Sequence, residues 1–182
     1  GNHRARRYYG MSITRKSLLS FFIAIAVINV SIAQKPNWIS LDYFFINAAF
    51  DLSAPELSKQ IYLYQRCAAQ HLALSNLIKQ VNTDRGRQLL ESASVLTQAA
   101  NLVRIDLAQE RTQSSPDTES ISRTIPEVVM HLCEQYMGWL NRNYLSNGSY
   151  FANDEELQDE MLLCGATAKI AGALLDRVES NQ

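Results

Sequence analysis

The sequence has 182 residues, of which 17 are basic and 18 acidic, so its formal net charge at pH 7 is −1. This length accommodates one ordinary domain with its own hydrophobic core. The chain has no cluster of basic residues in its main part, so it lacks the side chains that replace phosphate counterions. That composition argues against nucleic acid as a partner.

The beginning of the chain has the pattern of a secretory signal peptide. Arg15 and Lys16 precede an uncharged apolar run at residues 18–30 (LLSFFIAIAVINV), which is followed by the small-residue site Ser-Ile-Ala. The run has 13 residues, whereas a membrane-spanning helix needs roughly 20. We therefore expect cleavage before Gln34, export to the periplasm or out of the cell, and no stable membrane span afterwards. Without residues 1–33 the chain keeps 12 basic and 18 acidic residues, a net charge of −6.

Residues 34–52 (QKPNWISLDYFFINAAFDL) form an apolar arm with no clear period of two or of 3.6 residues. We expect a short helix or an extended segment at the end of the domain. Four aromatic residues in this arm are candidates for binding a protein partner: Trp38, Tyr43, Phe44 and Phe45. Core packing is the stronger interpretation of the arm, because so many exposed aromatic side chains would favour aggregation.

The next part of the chain predicts two helices joined by a short turn. Ser53, Pro55 and Glu56 form a capping box at the start of the first helix, which continues to about Val81. Residues 82–86 (NTDRG) predict a tight reversal into the second helix. Apolar periodicity gives the inward positions as Leu57, Ile61, Tyr64, Ala68, His71, Ser75 and Ile78 in the first helix, and as Leu89, Ala93, Leu96, Ala100, Val103 and Leu107 in the second.

Two further helices follow a polar connection at residues 113–123 (QSSPDTESISR). Thr124 starts the third helix, which ends near Leu145, and Asn153 with Glu156 caps the fourth. The inward positions are Ile125, Val129, Leu132, Tyr136, Leu140 and Tyr144 in the third helix, and Leu157, Met161, Cys164, Ala168, Ala171, Leu175 and Val178 in the fourth. The acidic run of residues 154–160 is interpreted as helix capping plus a solvated face.

These elements together predict the fold. No segment of residues 53–182 has the strand-like alternation of apolar and polar residues that would compete with the helical pattern. We expect an all-α protein, an antiparallel up-down-up-down four-helix bundle at residues 53–182 that is preceded by a cleaved signal peptide and a short apolar N-terminal arm.

The three cysteines, Cys67, Cys133 and Cys164, lie outside the signal peptide. An exported protein meets oxidising conditions, and Cys133 and Cys164 flank the turn between the third and fourth helices, so we predict a disulfide between them. Closing this loop of 31 residues would stabilise the fold by roughly 3–4 kcal/mol. Cys67 lies at a similar height along the first helix and is the alternative partner, which would leave another thiol free.

Few residues predict chemistry. Cys67 and His71 are four residues apart on one helix face, which is a metal-ligand spacing, but no CxxC or HExxH motif accompanies them. No GxSxG elbow or glycine-rich phosphate loop is present. We therefore expect no catalytic residues, no metal and no cofactor.

The functional expectation is an exported, non-catalytic accessory module that is stabilised by a disulfide and binds an unidentified protein partner. Self-association into a homo-oligomer is compatible with this reading. The alternative is a small metal- or cofactor-binding helical bundle that uses the Cys67/His71 layer.

Overall fold

A computed structural model describes residues 35–48, 54–112 and 117–180. Across these residues the protein is all-helical, with five helices and no strand, so the all-α part of the predicted fold is confirmed. The helices are α1 (Leu41–Ala48), α2 (Ala54–Ile78), α3 (Thr83–Thr112), α4 (Thr118–Asn147) and α5 (Glu155–Ser180). None of them is long and apolar enough to cross a membrane. The predicted signal peptide and the capping serine at position 53 lie outside the described residues.

Helix α2 is the centre of the protein and contacts each of the other four helices. Every residue from 63 to 71 is buried, so this part of the helix is covered on all sides. Its sequence allows this, because Glu56, Lys59 and Arg66 are the only acidic, lysine or arginine residues of the helix, and His71 is its only histidine. An amphipathic helix with one inward stripe was predicted here, and the predicted stripe is buried except for the half-buried Ile78. A helix buried all round is the pattern of a core element.

Helices α2 and α3 form an antiparallel hairpin with a turn at residues 79–82, shorter and earlier than the reversal predicted at 82–86. The side chain of Asn82 accepts a hydrogen bond from the backbone N–H of Arg85 (3.0 Å) and so caps α3. Gly86 lets the two backbones approach closely, since a Cβ at this position would lie 2.8 Å from Cα of Lys79. The hydroxyl of Ser75 donates to the backbone carbonyl of Gly86 (2.7 Å) and joins the helices at this crossing.

Helix α4 begins six residues before the predicted start at Thr124. Asp117 caps it, and its carboxylate accepts a hydrogen bond from the backbone N–H of Ser120 (3.0 Å). The helix then continues through Pro126. It ends at Gly148, whose φ of 73° is left-handed and whose N–H bonds to the carbonyl of Tyr144.

Helix α5 is capped by Asp154 rather than by Asn153. The Asp154 carboxylate accepts from the backbone N–H of Leu157 (3.1 Å). The fully buried stripe of the helix is Leu157, Glu160, Cys164, Thr167 and Ala171. Met161 and Ala168, which were predicted to face inward, are half-buried. The real stripe is therefore rotated toward two polar residues.

Candidate functional site

The disulfide of the protein joins the central helix to α5. Cys67 and Cys164 are bonded, with Cα atoms 5.0 Å apart. The predicted bond between Cys133 and Cys164 is therefore wrong, and the alternative with Cys67 as the partner is confirmed. Cys133 is a buried free thiol, and burial raises the pKa of this thiol, which disfavours the reactive thiolate.

The reason for this pairing is the way α4 and α5 meet. Helix α5 contacts α2 directly, whereas long side chains fill the space between α4 and α5. The Tyr136 hydroxyl donates to Oε2 of Glu160 (2.6 Å), and Nε1 of Trp139 donates to the Asp154 carboxylate (2.7 Å). A disulfide requires Cβ atoms about 4 Å apart, so helices separated by a tyrosine and a tryptophan cannot be bridged there.

A buried charge cluster lies beside the disulfide. Arg66 forms an ion pair through Nη2 with the Glu160 carboxylate, and both side chains are almost completely buried. Nε of Arg66 also bonds to the Tyr136 hydroxyl (3.3 Å). Sequence reasoning missed this cluster, and it placed Glu160 in a solvated acidic face. The sequence did contain one indication of it. Arg66 is the single arginine in an otherwise uncharged stretch of α2, and an arginine that is buried needs a partner.

The same arginine holds the N-terminal segment against the core. Nη1 of Arg66 donates to the backbone carbonyl of Ile39 (2.6 Å). The guanidinium carbon lies 4.4 Å from the centroid of the Trp38 ring, a cation–π distance. The Trp38 ring is in turn 4.7 Å from the Tyr136 ring. Residues 38 and 39 are therefore part of the packed structure.

The charge cluster is closed and fully hydrogen-bonded. Burial lowers the pKa of Arg66, whereas the neighbouring Tyr136 and Glu160 raise it. The net effect is an increase in the pKa. Burial raises the pKa of Glu160, and the Arg66 charge and two donated hydrogen bonds oppose that change, so we assign an ionised pair at neutral pH. Burial raises the pKa of Tyr136 well above its ordinary value and keeps its hydroxyl a donor. With every charge paired, we interpret this cluster as a structural element that orients the helices.

A groove of about 800 Å³ lies between α3 and α5, with α2 at its floor. Its size is in the range of small-molecule sites. The floor is His71, and the α3 wall is Arg85, Gln88, Leu89 and Ser92. The α5 wall is Met161, Leu162, Gly165, Ala166, Ala168, Lys169 and Ile170. At the rim, the side chains of Leu162 and Ile170 are 75% and 49% exposed.

His71 is the unusual residue of this groove. It is 3% exposed, and neither ring nitrogen has a hydrogen-bond partner among the described protein atoms. Burial, with a smaller contribution from the Arg85 charge, lowers its pKa from 6.5 to about 4. At neutral pH the ring is therefore uncharged, with one N–H donor and one acceptor unused. Gln70 also has both amide atoms unpaired, but it does not line the groove.

The predicted partner-binding residues of the arm have different environments. Phe44 is buried, Trp38 is half-buried in the contacts described above, and Tyr43 is 50% exposed. The side chain of Phe45 lies outside the described residues. Phe44 packs 4.9 Å from the Tyr62 ring, so among the described members of this set Tyr43 presents most of its ring to solvent.

The predicted Cys67/His71 layer forms the disulfide and the floor of the groove. Cys67 is oxidised, and a disulfide sulfur is not the thiolate that binds metal ions. Within residues 35–48, 54–112 and 117–180, no group of three His, Cys, Asp or Glu side chains is placed to hold a metal ion. The spacing of four residues between Cys67 and His71 thus puts two side chains on one face without making them ligands.

The structure thus defines an all-helical protein with a buried disulfide and a groove between two helices. Neither a protein family, nor a curated protein, nor a solved structure matches the chain.

Proposed function

We propose that this chain is an exported, non-catalytic accessory protein that acts by binding at the groove between α3 and α5. Its scaffold in this proposal is the up-down-up-down bundle of α2 to α5, locked by the Cys67–Cys164 disulfide. The direction of α5 fits that topology, because Tyr136 contacts Glu160 while the later Trp139 contacts the earlier Asp154. A buried disulfide is also the device expected of a protein that leaves the reducing cytosol.

The groove itself is the observation that carries this proposal. It is an open concavity of about 800 Å³ whose floor holds a buried histidine with unused hydrogen-bonding groups. Both ring nitrogens of His71 are themselves shielded from solvent, so the walls of the groove are the surface that it offers to a ligand. The Arg66 cluster, by contrast, is closed and fully paired, so it is a structural element in this proposal.

Two glycines on α5 provide a matched test. A Cβ added at Gly165, in the groove wall, or at Gly172, outside it, meets no atom within 4 Å. Gly165→Trp should therefore fill the groove without disturbing the backbone, and Gly172→Trp should leave the groove open. Both substitutions replace a helical glycine with a better helix former, a gain of about 0.5 kcal/mol, and the circular dichroism spectrum of each variant should match that of the wild type.

The measurement is affinity capture from the exported fraction of the source cells, followed by mass spectrometry of both proteins and small molecules. We expect a component that the wild type and Gly172→Trp hold and that Gly165→Trp loses. Equal capture by all three proteins would refute binding at the groove. Failure of the wild type to retain any component would refute it as well.

A further inference from the structure

The chemical character of the groove lining points to one class of ligand. Arg85 on the α3 wall and Lys169 on the α5 wall are basic side chains, and no acidic residue among those that the structure describes lines the groove. This is notable in a chain with more acidic than basic residues. The rest of the lining is mainly aliphatic or thioether side chains, including Leu89, Met161 and Leu162. The surface therefore combines positive charge with an aliphatic wall.

The two cations are available to a ligand. Among the described residues neither Arg85 nor Lys169 forms an ion pair, and the side chain of Arg85 donates a 3.3 Å hydrogen bond to Gln88. Nearby, Asp84 is already paired with Arg87 (3.1 Å). A carboxylate bound between Arg85 and Lys169 would gain charge-assisted hydrogen bonds without breaking an existing ion pair.

Other ligand classes fit the lining less well. A metal ion needs anionic or imidazole ligands in number, and His71 alone supplies one. Nucleobases are held mainly by stacking on aromatic rings, and no phenylalanine, tyrosine or tryptophan among the described residues lines this groove. The aliphatic wall has no role in binding a small inorganic anion, but it matches a hydrocarbon chain.

Resting on the function proposed above, we infer that the groove binds a small amphipathic anion, with an aliphatic chain along Leu89, Met161 and Leu162 and an acidic head group held by Arg85 and Lys169. The charged groups that line the groove together with His71 are these same two cations. No covalent step is involved, and the ligand is released unchanged.

The test is isothermal titration calorimetry on the protein expressed as the full chain, with its disulfide formed and each probe below its micelle concentration. The probes are dodecanoate, dodecyl phosphate, dodecanol, dodecyltrimethylammonium and inorganic phosphate. We expect both dodecyl anions to bind, with dodecanol and dodecyltrimethylammonium at least about tenfold weaker, because the head group requires the two cations. The two anionic arms distinguish a carboxylate from a phosphate head group.

Charge-reversed variants identify the site. Lys169→Glu should weaken dodecanoate binding by about tenfold, whereas Arg177→Glu, an exposed reversal on the same helix outside the groove, should leave it unchanged. Equal effects of the two charge reversals would overturn the assignment, as would equal binding of dodecanol or tight binding of inorganic phosphate alone.

The outcome for the ligand class is separable from the outcome for the proposed function. If dodecanoate fails to bind while Gly165→Trp still abolishes capture and Gly172→Trp does not, the amphipathic-anion assignment is wrong and groove binding stands. If the two tryptophan variants capture equally, groove binding itself is wrong.

Discussion

The buried, unpaired His71 should make the stability of this protein fall as the pH decreases below neutrality. In the folded state its pKa is about 4, compared with 6.5 for an unperturbed histidine. Between these two values the unfolded chain binds a proton that the folded protein does not, so protonation favours unfolding. The contribution is present in full above pH 6.5 and is lost as the pH falls toward 4. The difference between the two pKa values corresponds to a loss of about 3 kcal/mol in the free energy of unfolding.

The substitution His71→Leu should remove this part of the pH dependence. The measurement is the free energy of unfolding by urea denaturation, with the disulfide intact, at pH 7.5, 6, 5 and 4. Between pH 7.5 and pH 4 this free energy should fall by about 3 kcal/mol more for the wild type than for the variant. At pH 7.5 the variant should be equally stable or more stable by about 1 kcal/mol, since it no longer buries an unpaired imidazole.

The control for this experiment is His131→Leu. His131 is exposed on α4, where its ring contacts the Gln135 side chain (3.0 Å), and its replacement should keep the steep acid dependence. Parallel stability curves for the wild type and His71→Leu across the whole pH range would show that His71 is not held neutral by burial, and the argument would fail.

Further substitutions test other structural elements of the protein. Cys164→Ser removes the disulfide, and by the same denaturation assay it should lower the unfolding free energy by about 4–5 kcal/mol, because the bond closes a loop of 97 residues. As the control, Cys133→Ser should lower the unfolding free energy much less. Arg66→Met should cost about 3–5 kcal/mol because it leaves the Glu160 carboxylate buried and unpaired, and replacing both residues with Met should recover most of that loss. Gly148→Ala should lower the melting temperature through a cost of about 1 kcal/mol, since φ is 73° at this position.

The fold class was predictable from the sequence because helical periodicity is a local property. In α3 every predicted inward residue is buried: Leu89, Ala93, Leu96, Ala100, Val103 and Leu107. These side chains are all apolar and recur at intervals of three and four. Where a helix has one apolar stripe, composition and spacing are sufficient to orient it.

The orientation of α5 was not predictable in this way. Its sequence offers Met161 and Ala168 as apolar neighbours of the core, but the structure buries Glu160 and Thr167 instead. Glu160 is buried because Arg66 on another helix pairs with it, and a rule based on hydropathy cannot count that partner. The start of α4 was missed for a related reason, since Thr124 has the side chain of a cap and the preceding residues 118–123 are polar yet helical.

The cysteine pairing and the groove depend on the same tertiary information. Cys67 lies one turn before His71 on α2, and Cys164 directly precedes Gly165 in the groove wall on α5. The disulfide therefore fixes the floor of the groove relative to one of its walls. Arg66 lies one residue before Cys67 on α2, and Glu160 lies four residues before Cys164 on α5. The ion pair between them fixes the rotation of the two helices. A buried ion pair is a weak source of net stability, so we interpret this pair as setting the orientation that holds the groove open. The sequence places each of these residues correctly on a helix, but only the contact between α2 and α5 makes them parts of one site.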